Sequence, residues 1–238
     1  MTDVFVKHRP FVDPRLGYHT IHDPRSLTAF RATDHGLSVD PSTWVNHKTR
    51  IYDPYPRPNQ SVGNCTMCAT AMQLNARGNR VQGVVLDMDW AMMAYENETA
   101  NDEFPGAFPP EDTGSSSLAS AKTAQRLGVG GAYYWFTSWQ QVVQATMPSA
   151  EHPHGRAVKV GTRWDQNMFD LPANRVLSLG GGDAGGHEWI VRGADLDLEA
   201  AECLTWWGSD FYSFKVRFVD LDELLSDDGD AHWQERAA

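Results

Sequence analysis

The order in which two kinds of pattern appear constrains this chain most. Between about residues 60 and 147 apolar residues recur at helical spacing. From Ala157 onward the runs AVKVGTRW, EWIVRGADL, AECLTWWG and FKVRFVDL are strand-like, rich in Val, Trp and Phe and separated by glycine clusters. Helices first and strands later predict an α+β protein, with a helical lobe at about 60–147 packed on an antiparallel β lobe at about 155–220. Residues 1–43 fit neither pattern. Pro10, Pro14, Pro24 and Pro41 interrupt them too often for a long helix, so they read as an extended arm that drapes over the main body at 44–225. At the other end, DLDELLSDDGD holds six acids and reads as a short helix leading into a solvated acidic tail at 226–238.

A length of 238 residues suits one domain of generous size or two small lobes. Lys and Arg number 20 against 31 for Asp and Glu, a formal charge of -11, which would repel a phosphate backbone and speaks against nucleic acid as a partner. The sequence lacks an apolar run of about 18 residues, and MTDVFVKHRP lacks the apolar stretch of a signal peptide, so neither a membrane nor ordinary export is expected. Cys65, Cys68 and Cys203 are too few and odd in number for a disulfide framework. Free thiols in a reducing compartment such as the cytoplasm are the expectation.

The segment RIYDPYPRPNQSVG, with three prolines and a closing Gly63, is a loop, and a helix should follow it. CTMCATAMQLNAR places Cys68, Ala71, Met72 and Asn75 on one helix face, with Gly78 and Asn79 as the stop. Further helices are expected at about Met88–Glu98, at about Ser116–Leu127 with Ser115 or Ser116 as cap and Gly128 as stop, and at Ser138–Thr146. Cys65 therefore starts a helix, where the positive end of the macrodipole and unpaired N–H groups favour thiolate. Asn59 or Gln60 can hold an amide beside the sulfur as an oxyanion donor together with a helix-terminal N–H. His187, between GGGDAGG and the strand-like EWIVRG, has open space on one side and a fixed backbone on the other, as a general base needs. A nucleophilic cysteine and its imidazole are commonly far apart in sequence, and here they are 122 residues apart (187 − 65).

Other readings compete. Cys65 and Cys68 form a Cys-x-x-Cys, which also describes a thioredoxin-like redox site or half a zinc site. No strand runs directly into it, and no second Cys/His pair follows at finger spacing. His19 with His22 and His152 with His154 read as solvated loop residues. Asp112 reads as turn or cap chemistry, GGGDAGGH lacks the spacing of a phosphate cradle, and Trp164, Trp189, Trp206 and Trp207 read as core packing.

Taken together, the elements resemble the papain-like cysteine peptidases in their bacterial and viral form. NQSVGNCTMCATA is similar to the glutamine-loop-cysteine element, GGHEWIVRGAD to the histidine strand and LTWWG to the Asn-Ser-Trp-Gly element, in the family's order. DTGSSSLASAKTAQRLG resembles its mid-domain helix and VKVGTRWDQNMF the strand and loop before the histidine. With the arm HDPRSLTAFRA, the chain looks most like papain-like proteins encoded by phages of actinobacteria. The resemblance implies a papain-like fold, whose central helix starts at the nucleophile, and a catalytic set of Cys65, His187 and an upstream amide. Aligned without a gap the amide is Asn59; Gln60 matches by residue type with a one-residue deletion. Thr205 stands where the family has the Asn that orients the histidine, Trp207 stands where a tryptophan shields that contact, and FYSF replaces the second Trp-Gly. The implied activity is hydrolysis of peptide bonds in a protein or peptide substrate, without metal or cofactor. The alternatives are a structural or interaction protein of the same fold with reduced or lost turnover, such as a virion component docked through the arm, and a phage peptidoglycan amide hydrolase.

Overall fold

A computed structural model describes residues 3–9, 12–54, 56–80 and 82–237; Pro10, one of the prolines of the arm, lies outside them. The arm carries β1 (Phe5–Lys7), β2 (Thr20–His22) and the short α1 (Pro24–Ala29), and β3 (His47–Lys48) follows. Next come α2 (Cys65–Leu74), α3 (Met88–Thr99), α4 (Ser117–Arg126), β4 (Gly130–Phe136) and α5 (Trp139–Thr146). The rest is β5 (Val158–Asp165), β6 (Asp183–Asp195), β7 (Ala200–Leu204), β8 (Ser213–Arg217), α6 (Phe218–Ser226) and β9 (Asp230–Arg236). The protein is α+β: one antiparallel sheet in the order β4-β9-β5-β6-β7-β8, with β3 on β6, carries helices α2, α3 and α4.

Local chemistry sets the helix ends. Asp87, Ser116 and Ser138 cap α3, α4 and α5 by accepting the N–H of Trp90, Ala119 and Gln141, and Gly128 leaves α4 in the left-handed conformation. The expected one-faced α2 is instead buried at all ten positions, so it is the central helix between the sheet and α3 and α4. Its apolar side chains, among them Met67 and Met72, join Tyr95 of α3 with Ile190, Leu204 and Trp206 of the sheet side. Gln73 ties the far end down, donating to the carbonyls of Ala157 and His232 and accepting from Gln234 N–H.

Two boundaries and one burial differ from the sequence reading. The solvated acidic tail expected at 226–238 is β9, an interior strand between β4 and β5. Its polar side chains Asp230, His232 and Gln234 are buried and face the helical layer, so polarity there marks an interface. The helical lobe ends at α4, because β4 joins the sheet and α5 packs Val142, Val143 and Ala145 into the core beneath it. Finally, His19 is buried, with its ring bonded to Arg9 N–H and the Thr113 carbonyl, where a solvated loop residue was expected.

The junction of the layers holds charge. Lys159 of β5 reaches Glu188 of β6 at 3.3 Å and donates to Thr70 of α2 and Ser120 of α4. The Ser117 hydroxyl lies within hydrogen-bonding distance of both Glu188 and Asp230, at 2.5 Å and 2.6 Å. Burial pushes the Glu188 carboxyl up to about 7 while Lys159 opposes the shift. Lys159→Met removes the opposing charge, so folded Glu188 must hold its proton at a pH where the unfolded chain has lost it. The expected loss in urea unfolding is about 3 kcal/mol at pH 8, shrinking towards pH 5. A loss independent of pH would contradict this account of the network.

Candidate active site

Cys65 opens α2 and is completely buried, with the tight loop before it held by Asp112. One oxygen of Asp112 accepts Gly63 N–H at 2.7 Å and the other accepts the Tyr95 hydroxyl at 2.6 Å. Asp112 thus positions the turn that delivers the thiol, a larger task than the cap role read from sequence.

Gln60 and Asn59 lie on a short pairing with the segment after β7, through Gln60 N–H to the Trp206 carbonyl and Gly208 N–H to the Pro58 carbonyl. Backbone alternation sends the two side chains opposite ways, so Asn59 is exposed while Gln60 is buried. The Gln60 carbonyl oxygen accepts the Trp207 indole N–H at 3.2 Å, which turns its amide nitrogen into the cleft.

His187 lies on β6, opposite Thr162 of β5. Its Nε2 and the Thr205 hydroxyl are 2.8 Å apart, and Thr205 is held in place by its own N–H to the Tyr212 carbonyl. Trp207 lies 4.5 Å from the imidazole, and Trp164 stands edge-on at 5.0 Å, so the contact is dry. With Nε2 engaged by Thr205, Nδ1 is the nitrogen left for the cleft, and it has no hydrogen bond of normal geometry.

The arm fills that cleft. Gln60 donates its amide to the Arg15 carbonyl at 2.8 Å, and the Arg15 guanidinium lies 4.3 Å over the Trp207 ring. Tyr18 N–H donates to Gly186 carbonyl, Gly17 carbonyl accepts Ser115 N–H, and His19 N–H donates to Ser115 carbonyl, so the arm is stitched to both layers. Glycines make the close approach possible: a Cβ on Gly17 would fall 1.9 Å from the Gly63 oxygen, and one on Gly186 would fall 2.0 Å from the Tyr18 oxygen. The arm is further tethered by Lys7 to Asp228 and by Arg9 to Asp183.

Electrostatics follow from that cover. Burial pushes the Cys65 thiol up to about 12, although the N–H groups of Glu188 and Gly17 beside the sulfur pull the other way. Burial and the Arg15 guanidinium push the His187 imidazole down to about 3, against the pull of Asp13. With the arm seated, thiol and imidazole are both neutral near pH 7. Of the alternative chemistries, Cys68 turns its thiol back to the Asn64 side chain, and no cluster of metal-ligating residues occurs among the described residues.

No protein-family model matches the sequence, and no curated protein is significantly similar to it. Solved structures are. The chain is similar to xylellain, a cysteine protease from Xylella fastidiosa, with a TM-score of 0.66 at 12% identity, covering 99% of this chain and 99% of that one. It is also similar to the proform of the cysteine protease Amb a 11, a major ragweed pollen allergen, with a TM-score of 0.52 at 8% identity over 87% of this chain and 65% of that one. The fold is papain-like. Within this papain-like frame Gln60, Trp207, His187 and Thr205 form a chain of direct contacts, Cys65 lies against Gly17 of the arm and the backbone of Glu188, the residue after His187, and Asn59 is exposed. Arg15, Gly17 and Asp112 were not legible as site residues, because their role depends on segments distant in sequence meeting here. Thr205→Val keeps the shape and removes the hydroxyl, leaving buried Nε2 unpaired. Its expected cost in denaturant unfolding is about 1–2 kcal/mol. A neutral substitution would mean that Thr205 does not hold the ring.

Proposed function

We propose that the chain is a latent cysteine hydrolase that cleaves amide bonds in peptides. The observation that carries this reading is a carbonyl oxygen, that of Arg15, already seated on the Gln60 amide beside His187. The arm also presents an N–H of Gly17 to the sulfur, so it occupies the cleft beside the thiol.

With the arm withdrawn, water and substrate enter and the cost of charging both groups falls. The Cys65 thiol then gives its proton to His187, and the thiolate attacks the substrate carbonyl carbon. The developing oxyanion takes hydrogen bonds from the Gln60 amide and the Cys65 N–H, a contribution worth about 100- to 1000-fold per donor. His187, oriented through Thr205, protonates the leaving amine and then takes a proton from the water that releases the acyl group. The reading rests on the cleft alone and needs no assembly partner at the arm.

A second reading, a papain-like binding protein without turnover, is favoured by Thr205 in place of Asn and by the sealed thiol. Gly17→Ala in the full chain separates them, since its Cβ would collide with the Gly63 oxygen and lift the arm. Iodoacetamide labelling of Cys65, located by peptide mass spectrometry, should then quicken by about tenfold or more, with an apparent pKa below the usual 8.5 or so. Adding His187→Ala should raise that pKa again. Casein hydrolysis should appear in Gly17→Ala and vanish on adding Cys65→Ala. A thiol that titrates identically with and without His187, or hydrolysis that survives Cys65→Ala, overturns the mechanism.

A further inference from the structure

We propose that the free edge of β1 pairs with β1 of a second copy of this chain, closing a two-fold dimer through a four-stranded sheet in the order β2-β1-β1-β2. The inference goes beyond the hydrolase reading and does not depend on it.

Position comes first. β1 and β2 form a sheet of two strands, with Phe5 opposite His22, Val6 opposite Ile21 and Lys7 opposite Thr20. β2 is the inner strand: Ile21 joins Leu118 and Trp135 in a core cluster, the Thr20 hydroxyl donates to the Asp228 carbonyl, and the adjoining His19 N–H donates to the Ser115 carbonyl. β1 is therefore the outer strand, and among the described residues no strand lies along its other edge. Such an edge presents a row of backbone donors and acceptors to any strand that can align with it.

Pattern comes second. Val4, Phe5 and Val6 are consecutive and exposed at 44%, 43% and 43%, so the outer strand is apolar on both faces. Edge strands are ordinarily blunted by a charge or a proline, and neither interrupts the run between Asp3 and Lys7. Strand alternation puts Val4 and Val6 on one face and Asp3, Phe5 and Lys7 on the other.

Complementarity comes third, and it selects the partner. Antiparallel pairing about a two-fold axis at Phe5 sets Phe5 opposite its own copy, and sets Val4 opposite Val6 and Asp3 opposite Lys7 twice each, so apolar meets apolar and acid meets base. Parallel pairing in register would set Asp3 on Asp3 and Lys7 on Lys7, and an axis moved to Val6 would set Phe5 against Lys7. Lys7 already holds Asp228 at 2.9 Å, but its side chain is one-third exposed and its ammonium has three donors, which leaves room for a second carboxylate. Asp3 is exposed and free to supply it. The pairing uses the single open edge of each copy, so association closes at two. The strand is short, which places the dimer among weak interfaces.

The test is sedimentation equilibrium of the full chain at about 0.15 M salt, where the net charge of -11 on each copy is screened beyond about 8 Å. A monomer–dimer equilibrium with a Kd of about 10 to 100 micromolar is expected. Asp3→Lys, which sets lysine against lysine at two symmetric contacts, should weaken it about fivefold or more, and Val6→Lys about tenfold or more. Iodoacetamide labelling of Cys65, which reads displacement of the arm, should stay as slow in both variants as in the parent. Cross-linking reads the register. Phe5→Cys should oxidise to a disulfide dimer about tenfold faster than Val4→Cys or Val6→Cys alone, and a mixture of the last two should cross-link with each other. The native thiols are buried and do not compete. A chain that stays monomeric up to about 1 mM, assembles beyond two copies, ignores both lysine substitutions, or cross-links equally at all three positions would overturn the proposal.

Discussion

A helix buried along its whole length must be covered on every side, and the covering of α2 organises this protein. The sheet lies along one flank and α3 and α4 along another, and the arm closes over its first residue. Cys65 is that residue, so the thiol sits where three separate parts of the chain meet. An exposed helix start would favour thiolate through its dipole and free N–H groups. Here the same position is dry, and removal from water outweighs both: the thiol stays protonated although N–H groups point at it.

The two-residue period of β6 links the reactive side of the cleft to the charged junction. His187 turns towards Thr205, Trp164 and Trp207, while the next side chain, Glu188, turns towards Ser117 and Lys159. Tyr18 of the arm spans the pair, bonding its backbone beside His187 and placing its ring near Glu188 and Asp230. Docking of the arm therefore changes the solvation of the imidazole and of the carboxylates together.

How much of this was legible in the sequence depends on the distance over which each signal acts. The start of α2 after a proline-rich loop, the Ser116 cap and the Gly128 stop are local, and they read directly. The runs that became β5 to β8 carry their apolar side chains visibly. β9 was missed because its alternation is reversed in meaning: Ala231 and Trp233 fill the core on one face, while Asp230, His232 and Gln234 are buried against the helices on the other. Such a strand looks like a polar tail until the layer that satisfies its hydrogen bonds is known. β4 was missed for a related reason, since GGAYYWF begins with two glycines at an irregular register between two helices.

The arm shows a limit of a different kind. Its prolines ruled out a long helix, yet nothing local says that Gly17 passes Gly63 and Gly114, and Tyr18 passes Gly186, at backbone contact. Those four glycines are scattered over the chain, and each alone reads as a turn or a hinge. Gly63, Gly114 and Gly186 form a slot whose walls lack side chains, and where it passes the Gly63 oxygen it admits only a residue without a Cβ, as Gly17 is. The same absence of Cβ atoms that lets the arm lie on the thiol would let another peptide backbone lie there. For the hydrolase proposed above, occupancy by the arm is then a competition for one slot: the arm has the advantage of being tethered, and a substrate would have that of bringing a carbonyl carbon to the sulfur.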